Sequence, residues 1–376
     1  MRSGSFWSWR DLMFRLVEQL TPERVFALSH YAFVELAMSG VTSVGEFHYV
    51  HHDRGGAPYA DRLAMTDAVL RAAHDAGIRI TLIRTGYYRA GYGQTLSAGQ
   101  QRFCDRDADE TLRDFEASTA LIARMPHARL ALAAHSLRAC TAPQIRQLAA
   151  YADSHRLPFH MHVSEQAREV EECVAEHGNR PVEFLAELGI LNQRFTGIHV
   201  THLTANEVRI FGQSRSMACI CRSTERDLGD GLPLSADLIA AGARICVGAD
   251  SHAGPDAFED IRAVELDDRV RVQKRIVAAE ADWLLAIGTT NGLESIGQAD
   301  AQGQDEVHLR RGDAALAGLS EERALDAALF AATPRSIDKV LVAGRPIVVD
   351  GVHLRYDTAR RGFERALSDM AFEASL

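Results

Sequence analysis

The stretch Leu157-Pro158-Phe159-His160-Met161-His162-Val163-Ser164-Glu165 is apolar for most of its length and polar at its exit, and an amphipathic stretch, Ala167–Leu188, follows it. A strand of a parallel sheet reads this way when it delivers polar groups at its C-terminal end and returns through a helix. Six more runs share the form: Ser43–Val50, Ile78–Thr85, Arg129–Ser136, Phe195–Leu203, Met217–Arg222 and Ala243–Asp250. Helical patterns at Tyr59–Ala76, Ala108–Arg124, Ala142–His155, Thr204–Gly212 and Ala236–Gly242 alternate with them. The alternation predicts an α/β fold, and eight such units close a TIM-type (β/α)8 barrel. Seven strands are one short of closure.

The gap is expected at the start. Two helical segments, Trp9–Gln19 and Pro22–Met38, open the chain, the second with Thr21-Pro22-Glu23 as a cap and first-turn proline. In a complete barrel they would follow strand one, which this reading places upstream of Met1. After Asp250 the alternation stops: Phe258–Glu280 and Trp283–Ile296 are helical, Ala299–Asp313 is polar, and Asp338–His353 reads as two short strands around Ala343-Gly344. The expectation is a barrel of the metal-dependent hydrolase kind over residues 1–300, lacking its first strand. Residues 301–376 are expected to form a C-terminal segment with the hairpin of an incomplete β-sandwich, an exposed edge and a terminal helix.

Composition narrows the function classes. The 376 residues carry a net charge of −10 with no long run of one sign, which argues against a nucleic-acid partner. The 6 cysteines form no CxxC pair and read as buried free thiols of a reducing compartment. No window of 18 consecutive apolar residues and no cleavable leader pattern is visible, so a soluble, cytoplasmic protein is expected.

Chemistry is expected at the strand exits, where barrel enzymes carry their reacting groups. Those exits hold Glu46–Asp53 with His48, His51 and His52, then His135–Arg138, His160–Glu165, His199–His202 and Asp250–His252. His162 and Glu165 stand three apart, so the imidazole can bind a metal while the carboxylate moves protons beside it. Asp250 ends an apolar strand, where it can ligate a metal and accept a proton from water. The pattern favours hydrolysis over redox chemistry. Each residue also has a plainer reading. A single strand-end histidine is more often structural, His160 and His162 share a face by strand alternation alone, the triplet His48, His51, His52 reads equally well as a solvated loop, and Asp250 can cap a turn. The joint occurrence carries the functional reading.

On the segments Phe6–Met13, Gly45–Asp53, His135–Ala139, His160–Gln166, His199–His202, Ser223–Gly231 and Gly248–His252, the sequence resembles the amidohydrolase superfamily, and within it the formimidoylglutamate deiminases of histidine degradation. The resemblance implies hydrolysis of N-formimino-L-glutamate to N-formyl-L-glutamate and ammonia at a single zinc ion. It makes His162 and Asp250 zinc ligands, Asp250 also the general base, Glu165 the proton shuttle and His199 the group that polarises the substrate. It places Arg10, Tyr49, His135 and Arg138 at substrate contacts, and arginine forks suit a dicarboxylate. Members of that family carry a His-x-His pair on strand one, which has no counterpart ahead of Phe6. Two of four zinc ligands are therefore expected from this chain, with impaired activity for these residues alone.

Two alternatives stand beside this reading. One is a deaminase of guanine or another purine, which would want aromatic stacking partners and base-edge hydrogen bonds where Arg10 and Arg138 stand. The other is a metal-free binding protein that keeps the pocket. A homodimer is a reasonable expectation. Glu225, Arg226, Asp227 and His252 are assigned to the pocket from strand-end position only, with a structural role weighted equally.

Overall fold

The computed structural model describes residues 4–318 and 320–370. All seven expected parallel strands are present: β1 Ser43–His48, β2 Arg79–Gly86, β3 Ala128–Ser136, β4 Phe159–Val163, β5 Phe195–His199, β6 Met217–Ile220 and β7 Arg244–Val247. They form one sheet in unbroken chain order, each neighbouring pair parallel. Among the described residues, β1 and β7 each have a neighbour on one side only. Sequential parallel order is what successive βα crossovers of one hand produce.

The sheet is a curved wall. Flat, it would hold β1 and β4 about 14 Å apart. Yet the ring of Phe47 on β1 lies 4.4 Å, centroid to centroid, from that of His162 on β4. At the opposite end a single segment spans the concavity. Thr81 on β2 donates to the Ile296 carbonyl (2.7 Å), Gln298 donates to Thr81 (3.0 Å), and the His160 ring on β4 bonds the Ser295 carbonyl (2.9 Å). The N-terminal mouth is thereby plugged, which leaves the C-terminal mouth for chemistry.

Local sequence explains where helices differ from expectation. Ala167–Leu188 breaks into Ala167–His177 and Pro181–Glu187, because Gly178 adopts φ +76° as a helix terminator and Pro181 opens the next helix. Trp283–Ile296 divides into Ala281–Gly288 and Thr290–Ser295 at Thr289, whose backbone is non-helical. The charged helix ends early, as Ala257–Val272, and the fully buried Glu265 carboxylate then accepts N–H bonds from Val277, Ala278 and Ala279. The Tyr59–Ala76 pattern becomes helical only from Ala64.

The expected hairpin is present as β9 Ile337–Val342 and β10 Arg345–Val349, with Ala343 and Gly344 both at positive φ (49° and 73°), as a two-residue type I′ turn requires. The polar stretch before it contributes β8 Glu306–Leu309, and β11 Val352–His353 completes a four-stranded antiparallel sheet ordered β11-β10-β9-β8. The last helix, Tyr356–Asp369, returns to the helix Pro22–Met38, with the Tyr31 and Phe363 rings stacked at 4.6 Å. All six cysteines are free, four of them buried. Among the described residues no helix is long and apolar enough to cross a membrane.

Gly212 marks a close approach: a Cβ there would lie 2.3 Å from the backbone oxygen of Ala241. Gly212→Ala is expected to lower the unfolding free energy by roughly 2 kcal/mol, since backbone cannot give way as a side chain can. Gly292→Ala, in a helix with its nearest neighbour 4.0 Å away, is expected to be neutral or to gain up to about 1 kcal/mol. Urea denaturation of the two variants checks the pair.

Candidate active site

The chain leaves β4, β5 and β7 under backbone strain. Ser164, His199, Val200, Asp250 and His252 all take positive φ, between 45° and 72°, a region that non-glycine residues enter at a cost of about 1–3 kcal/mol each. For the β-branched Val200 it is a true outlier. Strain of this kind re-aims side chains toward a common point.

His162, His199 and Asp250 meet at that point, each offering one ligand atom, with all three atoms within 4.8 Å of one another. His162 Nδ1 lies 2.9 Å from the His135 carbonyl, a contact in which only an N–H can donate, so its Nε2 lone pair is free. Burial, and then the neighbouring His199, pull its pKa down to about 4, leaving it neutral at pH 7. His199 Nδ1 is 3.2 Å from Glu225 Oε1. His199 Nε2 is buried without a hydrogen-bond partner, 3.3 Å from Asp250 Oδ2 and 3.7 Å from Glu165 Oε1. Burial works to raise Asp250, but the adjacent His199 outweighs it and holds the carboxyl below its ordinary value. Burial likewise works against a charged His199, and the carboxylates of Glu165, Asp250 and Glu225 more than offset it.

Two imidazole nitrogens and a carboxylate are zinc-type donors, and three protein ligands are the usual complement of a catalytic zinc. The orphaned Nε2 of His199 is the sort of atom a metal satisfies, so the residues present fit such an ion. His199, expected as the group that polarises the substrate, brings a third possible ligand atom to the point where the two expected donors meet.

Next to the donors, Glu165 accepts from Arg138 (2.7 Å), while Glu169 receives the N–H groups of Ser164 and Glu165 (both 3.1 Å). Phe6 lies under the Arg138 guanidinium at 5.4 Å, and Arg10 stacks over Trp7 and Phe14 at 4.7 and 5.4 Å. His135 is edged by Tyr49 (5.1 Å) and Tyr87 (4.8 Å) and lies 4.8 Å from the His162 ring. Tyr49, His135, Arg138, His162, Glu165, His199 and Asp250 thus form one connected group, and Arg10 is near enough to feel the charge of Arg138.

Other expected residues fall elsewhere. His48, His51 and His52 are buried rather than solvated: Arg84 pairs with Asp105 through two bonds of 2.8 Å, His52 bonds Asp105 at 3.1 Å, and His51 contacts Arg84. Arg226 is exposed and pairs with Glu259 and Asp267; Asp227 is exposed too. His252 pairs with Glu35 at 3.0 Å. Of that set only Glu225 touches the site. Sequence reasoning passed over Tyr87, although it directly follows β2, and Asp230, in the Ser223–Gly231 string. Asp230 bonds Gln166, and burial with the nearby Glu165 raises its pKa to about 7.

The strand exits of a curved parallel wall gather two imidazoles and two carboxylates, a donor set that could hold a metal ion. The chain belongs to the amidohydrolase family, which it matches over residues 1–347. It is 36% identical to the formimidoylglutamate deiminase of Pseudomonas aeruginosa over 98% of its own length and 83% of the relative's, and 29% identical to the 8-oxoguanine deaminase of that organism, over 91% and 76%. The crystal structure of an amidohydrolase from Brucella melitensis superposes with a TM-score of 0.92 at 31% identity, covering 98% of this chain and 84% of that one.

The histidines behind β1 give a pH prediction. Burial, then Arg84, pushes His48 down to about 3, and His51 is lowered well below its ordinary value by the same causes. The unfolded state therefore takes up protons below pH 6.5 that the folded state refuses, so stability falls as pH drops from 6.5 toward 3. At pH 5 the expected loss from His48 alone is about 2 kcal/mol. Urea titrations at pH 7.5 and 5.0 measure it, and His48→Leu should flatten the slope.

Proposed function

We propose that this amidohydrolase removes ammonia hydrolytically from N-formimino-L-glutamate, giving N-formyl-L-glutamate, with one zinc ion held by His162, Asp250 and His199. The observation that carries the reading is that Arg138, paired with Glu165, and Tyr49, against His135, border the donor cluster, with Arg10 near Arg138. A substrate with two carboxylates and an amidine needs cationic recognition on one side and hydrolytic machinery on the other. The identity to a formimidoylglutamate deiminase supports the choice.

When bound at His162, His199 and Asp250, an ion would supply Lewis acidity to the water that attacks the amidine carbon. Asp250 accepts a proton from that water. Glu165, held by Arg138, takes the remaining proton from the added oxygen and passes it to the departing nitrogen of the protonated amidine, which leaves as ammonia as the carbon–nitrogen bond breaks and the carbon–oxygen double bond forms. Arg10 and Arg138 orient the glutamate carboxylates, and Tyr49 and His135 wall the reacting end.

A second reading has a specific observation behind it. Tyr49 and Tyr87 lie parallel at 6.5 Å and Phe103 closes on both at 5.0 and 5.5 Å, an aromatic wall that suits a purine ring, and one relative is an 8-oxoguanine deaminase. Ammonia release from N-formimino-L-glutamate, guanine and 8-oxoguanine separates the two; turnover of a purine alone would replace the first reading with the second. Metal analysis of the purified chain is expected to find close to one zinc. A metal-free chain that still binds ligand would make it a binding protein.

Two substitutions sharpen the test. Glu165→Gln is expected to lower kcat by about 10²–10⁴-fold with metal content unchanged. Arg10→Met, far less involved in the chemistry, should raise KM for the dicarboxylate by about tenfold or more with kcat nearly preserved. Steady-state kinetics with metal analysis checks both.

A further inference from the structure

The last helix, Tyr356–Asp369, packs on the helix Pro22–Met38 and leaves beside it a groove of about 290 Å³, close to the lower limit for small-molecule sites. None of its lining residues belongs to the donor cluster. Small groups bring the two helices together there: Ala27 and Ala359 line the groove with Gly362, where an added Cβ would lie 3.9 Å from that of Ala27. Phe26 and His30 line it as well, their rings tilted together with centroids 5.5 Å apart.

Two features of this lining call for an anion. Arg361 and Arg365, about one turn apart on the last helix, are exposed and have no carboxylate partner among the described residues, whereas the adjacent Arg360 pairs with Glu364 at 2.5 Å. Asp75 is the single carboxylate in the lining, so the groove keeps an excess positive charge in a chain whose net charge is −10. The second feature is His30, which is 5% exposed and whose Nε2 is buried with no hydrogen-bond partner among the described residues. Burial lowers its pKa, so the ring is neutral at pH 7. Buried polar atoms in native folds are normally paired, and an acceptor atom of a ligand can pair this one when Nε2 carries the proton. We propose that this groove is a binding site for a small organic anion with a flat apolar body. Arg361 and Arg365 hold its charged end, and the body packs on Ala27, Ala359 and Gly362 beside Phe26. Guanidinium forks suit carboxylate and phosphate oxygens alike. The site depends neither on a metal nor on the reaction proposed above.

Calorimetric titration of the full chain with benzoate, phenyl phosphate and inorganic phosphate tests it. One or both aromatic anions are expected to saturate a single site with a Kd of about 1 mM or lower. Inorganic phosphate, which has no apolar body, should bind about tenfold more weakly or worse. The tighter aromatic probe identifies the head group. Because both arginines are exposed, the double variant Arg361→Met/Arg365→Met is expected to fold as the wild type does and to lose about tenfold or more in affinity. Asp75→Asn removes the opposing charge and should tighten binding about two- to fivefold, a gain that general damage to the surface would not produce. Arg10→Met, beside the donor cluster, should leave the affinity unchanged. Three results overturn the proposal: no saturable binding of either aromatic anion below about 10 mM, an affinity unchanged in the double arginine variant, or a loss confined to Arg10→Met, which would put the anion at the candidate active site.

Discussion

The curl of one parallel sheet is the constraint on which the rest of this molecule depends. Side chains alternate along each strand, so every second residue faces the concave side, and curvature brings together residues whose strands are not neighbours. Phe47 against His162 is the clearest case, three strands apart and in contact. The same curvature lets the single segment Ser295–Gln298 reach both β2 and β4 at the N-terminal mouth. With one mouth plugged and the other lined by strained strand exits, polar residues from the exits of five strands, β1, β3, β4, β5 and β7, share one small space.

Buried charge is tolerable there only because it is paired. Arg138 lies between Glu165 and Glu169, Arg222 between Glu225 and Asp267, and Arg84 against Asp105. Each pairing costs desolvation and so adds little net stability, but removing one partner would strand the other. What these pairs supply is orientation. They hold Glu165 at the rim of the donor cluster and Glu225 behind His199, and they lock the loop that carries His51 and His52 onto β2. The unusual positive φ values at His199 and Asp250 persist for the same reason, since the surroundings leave those residues no easier conformation.

Much of the fold was legible in the linear pattern. Seven strands, the helices between them, the two opening helices and the Ala343-Gly344 hairpin follow from hydrophobic periodicity and turn chemistry, which are local. Some of the misreadings were local as well. Glycine at 178 and proline at 181 divide what the apolar spacing alone reads as one helix. Ala299–Asp313 reads as merely polar, and its β8 strand exists because β9 offers it a ladder. The equal weighting of His48, His51 and His52 as a solvated loop went astray because Arg84 and Asp105, the pair they are buried against, lie 32 to 57 residues further along the chain and nothing in the spacing announces them.

By itself, then, the sequence determined the strand periodicity, the residue types at each strand exit and the family, because these depend on neighbours along the chain or on motifs of a few residues. Tertiary structure alone decided which of those exits meet. It made His199 a third member of a cluster for which residue spacing offered two, turned Glu225 inward and Arg226 outward from adjacent positions on one helix, and paired Arg138 with Glu165. Convergence of this kind is a property of how the sheet curves and which carboxylate desolvation forces each cation to find. Neither is written in any single stretch of chain.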